Sequence, residues 1–206
     1  MELEKNFLRQ FSFDISPFVS IRTFDSGQPI VVEGEPPAFL YYMSGGRAKL
    51  YTTQENGRVS LIDFLDAPCF IGEMELLRED SLTRGVTAIL PCRCYAVDMA
   101  RCRGQLLSDP VFLRGLCLQL SRRLQTNTTF LCKNTAYPLE NRLAAFILLT
   151  ETGGFYRERH TEVSEYLGVS YRHLLYVLAA FVREGILEKT AAGYRIINRS
   201  RLQELA

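Results

Sequence analysis

Residues 108–134 predict one long helix. Asp109-Pro110 places an N-cap residue directly before a proline at the first helical position, and no other proline follows in the stretch. Its mostly apolar heptad seam, spaced 4-3-4-3-4, consists of Leu113, Cys117, Leu120, Leu124, Asn127 and Leu131. The chain before this helix predicts strands and tight turns, and the chain after it predicts short helices. A long helix with a heptad seam, lying between two unlike halves, indicates a dimerisation helix that connects a sensor domain to an output domain.

The composition indicates a globular protein of one or two domains. The 206 residues are 47% apolar and include thirteen Phe and ten Tyr, which is enough for well-filled cores. No apolar run approaches the ~18–20 residues that span a bilayer, and the first residues contain no signal-peptide core. We therefore expect a cytoplasmic protein with no membrane partner. In that compartment the six cysteines begin as reduced thiols rather than as a disulfide framework.

Charge is distributed unevenly along the chain. Residues 1–109 contain 11 Lys and Arg against 15 Asp and Glu, whereas residues 110–206 contain 13 against 8. The net charges of the two parts are therefore −4 and +5. A basic second part is typical of a domain that meets a polyanion, although ordinary surface variation can produce a difference of this size.

Short apolar runs alternate with glycine-containing turns between residues 21 and 97. Gly45-Gly46 and Asn56-Gly57 are typical hairpin turns, and strands at this spacing predict an antiparallel sandwich or barrel. Residues 70–79 interrupt the strand pattern and predict a short helix. The first half is therefore expected to be a β domain with one helical excursion.

A helix-turn-helix is the most specific pattern in the second half. After a helix predicted for residues 139–152, Thr161 is expected to cap a helix over 162–167, Gly168 allows a sharp turn, and Ser170 caps a helix over 171–184. Apolar residues recur at core spacing: Val163, Leu167, Val169, Leu174, Val177, Leu178 and Phe181. Two strands, 186–189 and 194–197, follow as a wing. The pattern predicts a winged helix-turn-helix.

The second helix of this motif is expected to enter the major groove of duplex DNA. Its outward residues near the N-terminus are Tyr171, Arg172, His173 and Tyr176. Arginine can bond guanine O6 and N7 together, so Arg172 is the leading base contact, with a solvated surface charge as the alternative. Candidate phosphate contacts are Ser170, Arg159, His160 and Arg195, followed by Arg183 and Arg199.

The first half resembles a known family. It contains, in order, Phe24, Gly27, Ile30, Glu33-Gly34, the run LYYM at 40–43, Gly46, Gly57 and the run FIGE at 70–73. This order is similar to the cyclic-nucleotide-binding β-roll of the cyclic-AMP receptor protein and the fumarate and nitrate reduction regulator, the CRP/FNR family. The long helix and the C-terminal motif extend the resemblance over nearly the whole chain. Stretches such as NGRVSLIDF and NRLAAFILL are most similar to YeiL-type members.

The resemblance implies an α+β fold with three parts. These are an N-terminal double-stranded β-helix, or jelly-roll-like β-roll, over 1–108, a central dimerisation helix over 109–137, and a winged helix-turn-helix over 138–206. It also implies a homodimeric transcription regulator that binds a palindromic duplex site and works with RNA polymerase. The family's base-reading positions hold Tyr171, Arg172 and Tyr176 here, so the resemblance implies DNA binding but not the family's operator sequence.

A ligand site in the β-roll is also implied by the resemblance. The family's ribose-binding Gly-Glu pair is present as Gly72-Glu73, and its polar contacts from the long helix fall on Asn127 and Thr128. Its phosphate-binding Arg-Ser positions hold Leu82 and Thr83, and the nearby arginine is Arg84. Three interpretations stay open: a cyclic nucleotide, another small effector, or a Gly72-Glu73 pair that serves the turn alone.

The cysteines allow several interpretations. Cys92 and Cys94 are expected to share one face of a strand, and buried core thiols are the favoured interpretation. A redox or iron–sulfur sensor is the alternative, although residues 1–68 contain no cysteine. Cys117 lies in the seam, where two copies could form an intersubunit disulfide.

Two further function classes have less support. A nucleotide-binding module without DNA binding is disfavoured by the C-terminal motif. A thiol enzyme lacks a nucleophile motif, and the two histidines lie thirteen residues apart in the helix-turn-helix region, where no metal site is predicted.

Overall fold

The computed structural model describes residues 4–78, 80 and 82–206, with the side chains of Lys133 and Thr135 excepted. By its internal contacts the chain divides into two compact units, residues 1–124 and residues 125–206. The division falls within the long helix, so this helix contributes residues to both units.

In its described residues the first unit combines six strands with four α-helices and one 3₁₀ turn. The elements are α1 (Lys5–Leu8), a 3₁₀ turn (Ser16–Phe18), β1 (Val19–Phe24), β2 (Pro29–Val31), β3 (Phe39–Thr53), β4 (Val59–Asp66), β5 (Cys69–Ile71), α2 (Glu73–Leu77), β6 (Gly85–Asp98), α3 (Met99–Ser108) and the start of α4 (Pro110–Ala136). The sheet order is β1-β6-β3-β4, with β2 on β6 and β5 on β3, and all pairs are antiparallel.

The long strands β3 and β6 hold the β domain together. They pair from Phe39 opposite Asp98 to Tyr51 opposite Gly85, with shifts in register around Gly45 and Arg47. Gly46 has φ +100°, and a Cβ there would clash with the Pro91 carbonyl oxygen, so the bend in β3 requires glycine. The predicted antiparallel, jelly-roll-like domain is confirmed, and the predicted helical excursion is α2.

An aromatic core joins the N-terminal segment, the sheet and α4. Phe11 stacks on Phe112 of α4 with ring centroids 5.6 Å apart, and Phe112 meets Phe70 edge-on at 5.4 Å. Phe7 stacks on Tyr95 at 4.6 Å. All five rings are buried. The sequence pattern did not indicate this role for residues 7 and 11, because α1 is too short to show a helical period.

Asp109 caps α4, as predicted. Its carboxylate accepts a hydrogen bond from the Val111 N–H at 2.9 Å and another from the Ser12 N–H at 2.8 Å. Burial alone would raise the pKa of Asp109, but these hydrogen bonds outweigh it and hold the pKa below its ordinary value. The cap therefore also fastens the N-terminal segment to the start of α4.

The second unit is a winged helix-turn-helix. It contains the rest of α4, α5 (Leu139–Thr150), β7 (Phe155–Tyr156), α6 (His160–Tyr166), α7 (Tyr171–Arg183), β8 (Leu187–Thr190), β9 (Gly193–Ile196) and α8 (Arg199–Leu205). Gly168 turns the chain at φ +64°, and the Ser170 hydroxyl accepts a bond from the His173 N–H at 3.2 Å. The predicted core residues of the motif are buried, except that Val169 is only half-buried.

In this unit one local prediction was wrong, and one strand was not predicted. The helix α6 begins at His160 with Arg159 at the N-cap position, so Thr161 lies inside the first turn and its carbonyl accepts a bond from the Ser164 hydroxyl. The connector before α6 contains a third strand, β7, because Phe155 and Tyr156 pair with Arg195 and Tyr194. No helix in the described part of the chain has both the length and the apolar character needed to cross a membrane.

Candidate functional site

A cavity of about 360 Å³ lies inside the first unit, and we name it the β-roll cavity. Its walls combine apolar and charged side chains. They are Val31, Leu50, Leu65, Ile71, Gly72, Glu73, Met74, Glu75, Arg78, Asp80, Leu82, Arg84, Val86 and Arg123. A volume above ~300 Å³ with a few charged groups is typical of small-molecule sites.

Arg123 forms a charged cluster in this cavity. Its Nη1 donates a hydrogen bond to Glu73, and its Nε lies 3.6 Å from Asp63. Glu73 is 3% exposed. Burial raises the pKa of Glu73 and of Asp63, and the nearby Arg123 charge counteracts that rise in both. The cluster thus holds one guanidinium between a buried carboxylate, Glu73, and a partly buried one, Asp63.

The sequence interpretation missed Arg123, although a signal was present. Phe112, Leu116, Gln119 and Arg123 are spaced 4-3-4, and this stripe faces the β domain, where Phe112 and Leu116 are buried. Gln119 bonds both the N–H and the carbonyl of Phe70, at 2.8 and 3.2 Å. An arginine on a core-facing stripe indicates a buried carboxylate partner.

The structure gathers only some of the predicted ligand residues. Gly72, Glu73 and Arg84 line the β-roll cavity, with Arg84 exposed. Thr83 is buried, and its carbonyl accepts a bond from the Gly34 N–H at 3.0 Å. Leu82, at the family's arginine position, is 69% exposed.

Two other predicted ligand residues belong to the second unit. Asn127 and Thr128 lie on α4 beyond Leu124, one half-buried and the other exposed. Gly72 has φ +90°, and a Cβ there would lie 3.2 Å from the Phe39 carbonyl oxygen, so the turn itself demands glycine. The backbone turn therefore accounts for a glycine at position 72 without any ligand.

Apart from half-buried Asn127, the predicted seam residues divide into two groups. Leu113 and Leu120 pack against the aromatic core of their own unit. Cys117, Leu124 and Leu131 are exposed, the two leucines by 69% and 64%. Together with Ser121 and Thr128 they follow one helix face at 4-3-4-3 spacing. The exposed apolar stripe of α4 is therefore turned slightly from the predicted seam, because the β domain takes part of it.

The N-terminal end of α7 presents an exposed polar surface. Arg172 and His173 are exposed, Tyr171 is 48% exposed and Tyr176 is 62% exposed. The opposite side of the helix, with Leu174, Val177, Leu178 and Phe181, is buried in the motif. Local folding therefore fixes which residues of α7 a binding partner meets.

The candidate phosphate contacts differ in their exposure and in the partners they already have in the structure. Ser170 is exposed and caps α7. Arg159 is exposed and 3.9 Å from Glu162, and Arg195 on β9 pairs with Glu188 at 2.6 Å. His160 is half-buried against the Tyr156 and Tyr194 rings, and its pKa is lowered by burial and by the Lys189 charge.

Four cysteines are buried and two are exposed. Burial raises the pKa of Cys69 and of Cys94 to about 12 and that of Cys102 to about 11, and it also raises the pKa of Cys92. Cys92 and Cys94 share one core cluster, as predicted. Cys117 and Cys132 are exposed on α4. Within residues 4–78, 80 and 82–206, no three His, Cys, Asp or Glu side chains gather as metal ligands would.

Parts of both units match known protein families. Residues 21–109 match the cyclic nucleotide-binding domain family, and residues 141–205 match the Crp-like helix-turn-helix domain family. The chain is 51% identical over 203 residues to regulatory protein YeiL of Escherichia coli O157:H7, covering 98% of this chain and 93% of that protein. It is 24% identical over 193 residues to a CRP-like cAMP-activated global transcriptional regulator of Mycobacterium tuberculosis, covering 89% and 86%.

Solved structures share the fold. One is a transcriptional regulator of the CRP/FNR family from Eubacterium rectale, with TM-score 0.79 at 16% identity over 98% of this chain and 94% of that one. Another is a CRP-family transcriptional regulator from Thermus thermophilus, with TM-score 0.71 at 18% identity over 90% and 96%. The chain belongs to the CRP/FNR family of transcription regulators, with a cyclic-nucleotide-binding type of sensor domain and a helix-turn-helix DNA-binding domain.

Proposed function

We propose that this protein is a homodimer that reads a palindromic DNA site with the N-terminal end of α7. The supporting observation is the exposure of Tyr171, Arg172, His173 and Tyr176 on a capped helix whose other side is buried. Such a helix places its first residues against base edges in the major groove. Residues 138–206 would bind DNA, residues 109–137 would dimerise, and residues 1–108 would sense.

Phosphate contacts would set the position of the protein on DNA. Ser170 and Arg159 are exposed near the start of the motif, and Arg195 lies on the wing. Arg195 would have to exchange its Glu188 partner for a phosphate, whereas His160 is held between tyrosine rings. We therefore assign the leading phosphate roles to Ser170 and Arg159, with Arg195 and His160 secondary.

The exposed stripe of α4 supports the dimer. Cys117, Leu124 and Leu131 share a face that is exposed in the single chain, and two such stripes can pack as a coiled coil. A two-fold axis along this stripe would place the two α7 helices on half-sites about one turn of DNA apart. RNA polymerase is the further partner expected at a promoter, and the bacterial cytoplasm is the place of action.

Arg172→Ala is expected to weaken binding to a selected operator by about 1–3 kcal/mol and to relax specificity at one base pair. The reason is that the guanidinium can bond a guanine edge bidentately. The operator would come from selection among random duplexes, and fluorescence anisotropy would measure affinity for every single-base variant. Arg201→Ala is the control, since Arg201 pairs with Glu204 on α8. An equal loss for all sequences would assign Arg172 to phosphate instead.

The β-roll cavity is the proposed effector site. Gly72, Glu73 and Arg84 line it, and the matching of residues 21–109 to cyclic-nucleotide-binding domains supports a small-molecule role. Exposed Leu82 and buried Thr83 replace the family's phosphate-binding pair, which argues for an effector that differs from cyclic AMP.

Glu73→Gln tests the nucleotide interpretation. Any cyclic-AMP-dependent change in the operator affinity of the wild type is expected to vanish in this variant, because the carboxylate is the group that accepts a ribose hydroxyl. Anisotropy titrations with and without cyclic AMP provide the measurement, and Glu35→Gln, at an exposed position, is the control. A response that survives in Glu73→Gln would move the effector elsewhere, and a wild type without any response would leave the cavity to another effector class.

A further inference from the structure

Arg142 lies on α5 and reaches the turn between the two helices of the DNA-binding motif. Its Nη1 donates a hydrogen bond to the carbonyl oxygen of Leu167, 2.6 Å away, and a longer one to the side-chain oxygen of Asn134 on α4, at 3.3 Å. Leu167 is the C-terminal cap of α6, directly before the turning Gly168. One guanidinium group therefore links α4, α5 and α6, and all of these residues belong to the second unit.

The bond from Arg142 to Leu167 is of a strong kind. The last carbonyl groups of a helix have no partner within the helix, and a cation at that end also interacts favourably with the helix dipole. The Nε of Arg142 is buried and has no hydrogen-bond partner among the residues that the structure describes. Burying an unsatisfied donor is unfavourable, so the two bonds of Nη1 have to offset that cost for the guanidinium to remain at the turn.

Aromatic rings hold the end of α6 beside the same helices, but with less directional control. Tyr166, the last residue of α6, lies 4.4 Å from Phe130 of α4 and 5.2 Å from Phe146 of α5, measured between ring centroids. Aromatic pairs stay favourable over centroid separations of ~4.5–7 Å, whereas a hydrogen bond weakens steeply outside a narrow range of distance and angle. The rings therefore bring α6 close to α4 and α5, and the bond from Arg142 fixes the position of the turn.

A displacement of this turn would be passed on to α7. Within the turn, the Val169 N–H donates a hydrogen bond to the Ser164 carbonyl at 2.9 Å, so the turn is tied to α6. Ser170, three residues after Leu167, already caps α7. The chain between the anchored carbonyl and the recognition helix is thus too short and too firmly bonded to absorb a shift.

We propose that Arg142 is a positioning residue for DNA recognition: it holds the α6–α7 turn against α4 and α5, and so sets the direction in which α7 presents Tyr171 and Arg172. This role rests on the proposed function of α7 as the DNA-reading helix. Arg142 acts through the Leu167 carbonyl and not through DNA, since its side chain is half-buried and its bonds go to Leu167 and Asn134. Contacts to base edges require a defined helix position, whereas attraction to phosphates is independent of sequence. Loss of Arg142 should therefore weaken specific binding more than non-specific binding.

Arg142→Met in the full chain tests the proposal, because methionine keeps an apolar stem and removes the donors. Fluorescence anisotropy would compare a duplex selected by the wild type with a random duplex of equal length. We expect the affinity for the selected duplex to fall at least about tenfold, as the loss of a charge-assisted bond provides, and the affinity for the random duplex to change less than about threefold. Arg142→Lys should recover part of the loss, since its ammonium group can still donate to the Leu167 carbonyl.

The neighbouring residue provides a matched control. Asn141, also on α5, donates a hydrogen bond to the Leu205 carbonyl of α8 at 2.7 Å. Asn141→Ala therefore removes a side-chain bond to a helix-end carbonyl without touching the α6–α7 turn. Thermal unfolding should show a loss of stability, while the affinity for the selected duplex stays within about twofold of the wild type.

Equal binding of the selected duplex by Arg142→Met and the wild type would overturn the role of Arg142 alone. The same follows from equal losses on the selected and random duplexes, or from a loss in Asn141→Ala as large as that in Arg142→Met. A wild type for which no duplex can be selected would overturn the proposed function of α7, and the role of Arg142 with it. Should Arg142→Met fail to fold by circular dichroism, the ratio of selected to random affinity decides: we expect a lower ratio in Arg142→Lys than in Asn141→Ala, and equal ratios would contradict the proposal.

Discussion

Arg123→Met is expected to lower the free energy of unfolding by about 3–5 kcal/mol, the usual cost of removing one member of a buried ion pair. Glu73, in the β-roll cavity, and the partly buried Asp63 would then lose the guanidinium that neutralises them. Urea denaturation followed by circular dichroism gives the measurement. Arg114→Met is the control, because Arg114 is exposed on the same helix.

The loss in Arg123→Met should depend on pH. The pKa values of Glu73 and Asp63 are raised in the folded protein from their ordinary 4.5 and 3.8. Groups with raised pKa values contribute their full stability below the unfolded pKa and lose it as pH rises through the folded pKa. Removing Arg123 raises both folded pKa values further, since its charge opposes the rise. The deficit relative to wild type should therefore be larger near ~pH 8 than near ~pH 5. Equal deficits at both pH values would contradict the role assigned to Arg123.

Phe112→Ala is expected to destabilise the protein by about 3–5 kcal/mol, in the range for a buried aromatic ring replaced by alanine. Phe112 is 1% exposed and touches Phe11 and Phe70, so its removal leaves a cavity where α4, the N-terminal segment and the sheet meet. The two rings around it come from the N-terminal segment and from β5, so their backbones limit how far they can move into the gap.

The neighbouring residue offers a matched control for Phe112→Ala. Val111 is 44% exposed, and Val111→Ala should change stability by less than about 0.5 kcal/mol. Thermal and urea unfolding of both variants would show the difference. Similar losses in the two variants would mean that the aromatic core does not anchor α4.

Local patterns predicted the second unit well. The glycine turn at 168, the Ser170 cap and the apolar spacing of α7 are all decided within a few residues, and each was found where the pattern indicated. The differences there concern where α6 begins and whether the segment before it forms a strand. Arg159 rather than Thr161 precedes α6, and β7 formed because a partner strand about forty residues later was available.

The first unit depended more on long-range contacts. The Gly-Glu turn was visible in the sequence, but its Arg123 partner is fifty residues away and required the position of α4. Phe7 and Phe11 lie in the core of this unit, and the Ser12 N–H beside them donates a hydrogen bond to Asp109, far along the chain. The predicted seam could not be checked against a partner surface in the sequence, and in the single chain Leu113 and Leu120 pack against the core of the β domain. Heptad spacing alone does not distinguish these surfaces.

The placement of the cysteines allows α4 to be labelled selectively with spectroscopic probes. Four thiols are buried and have raised pKa values, so a thiol-reactive probe at neutral pH would find the two exposed on α4. Cys117 and Cys132 are fifteen residues apart, or about 22 Å along a helix that rises ~1.5 Å per residue. Nitroxide or fluorophore pairs attached there would report distances across a dimer in the unaltered sequence. Cys117→Ser and Cys132→Ser would assign each signal to one turn of the helix.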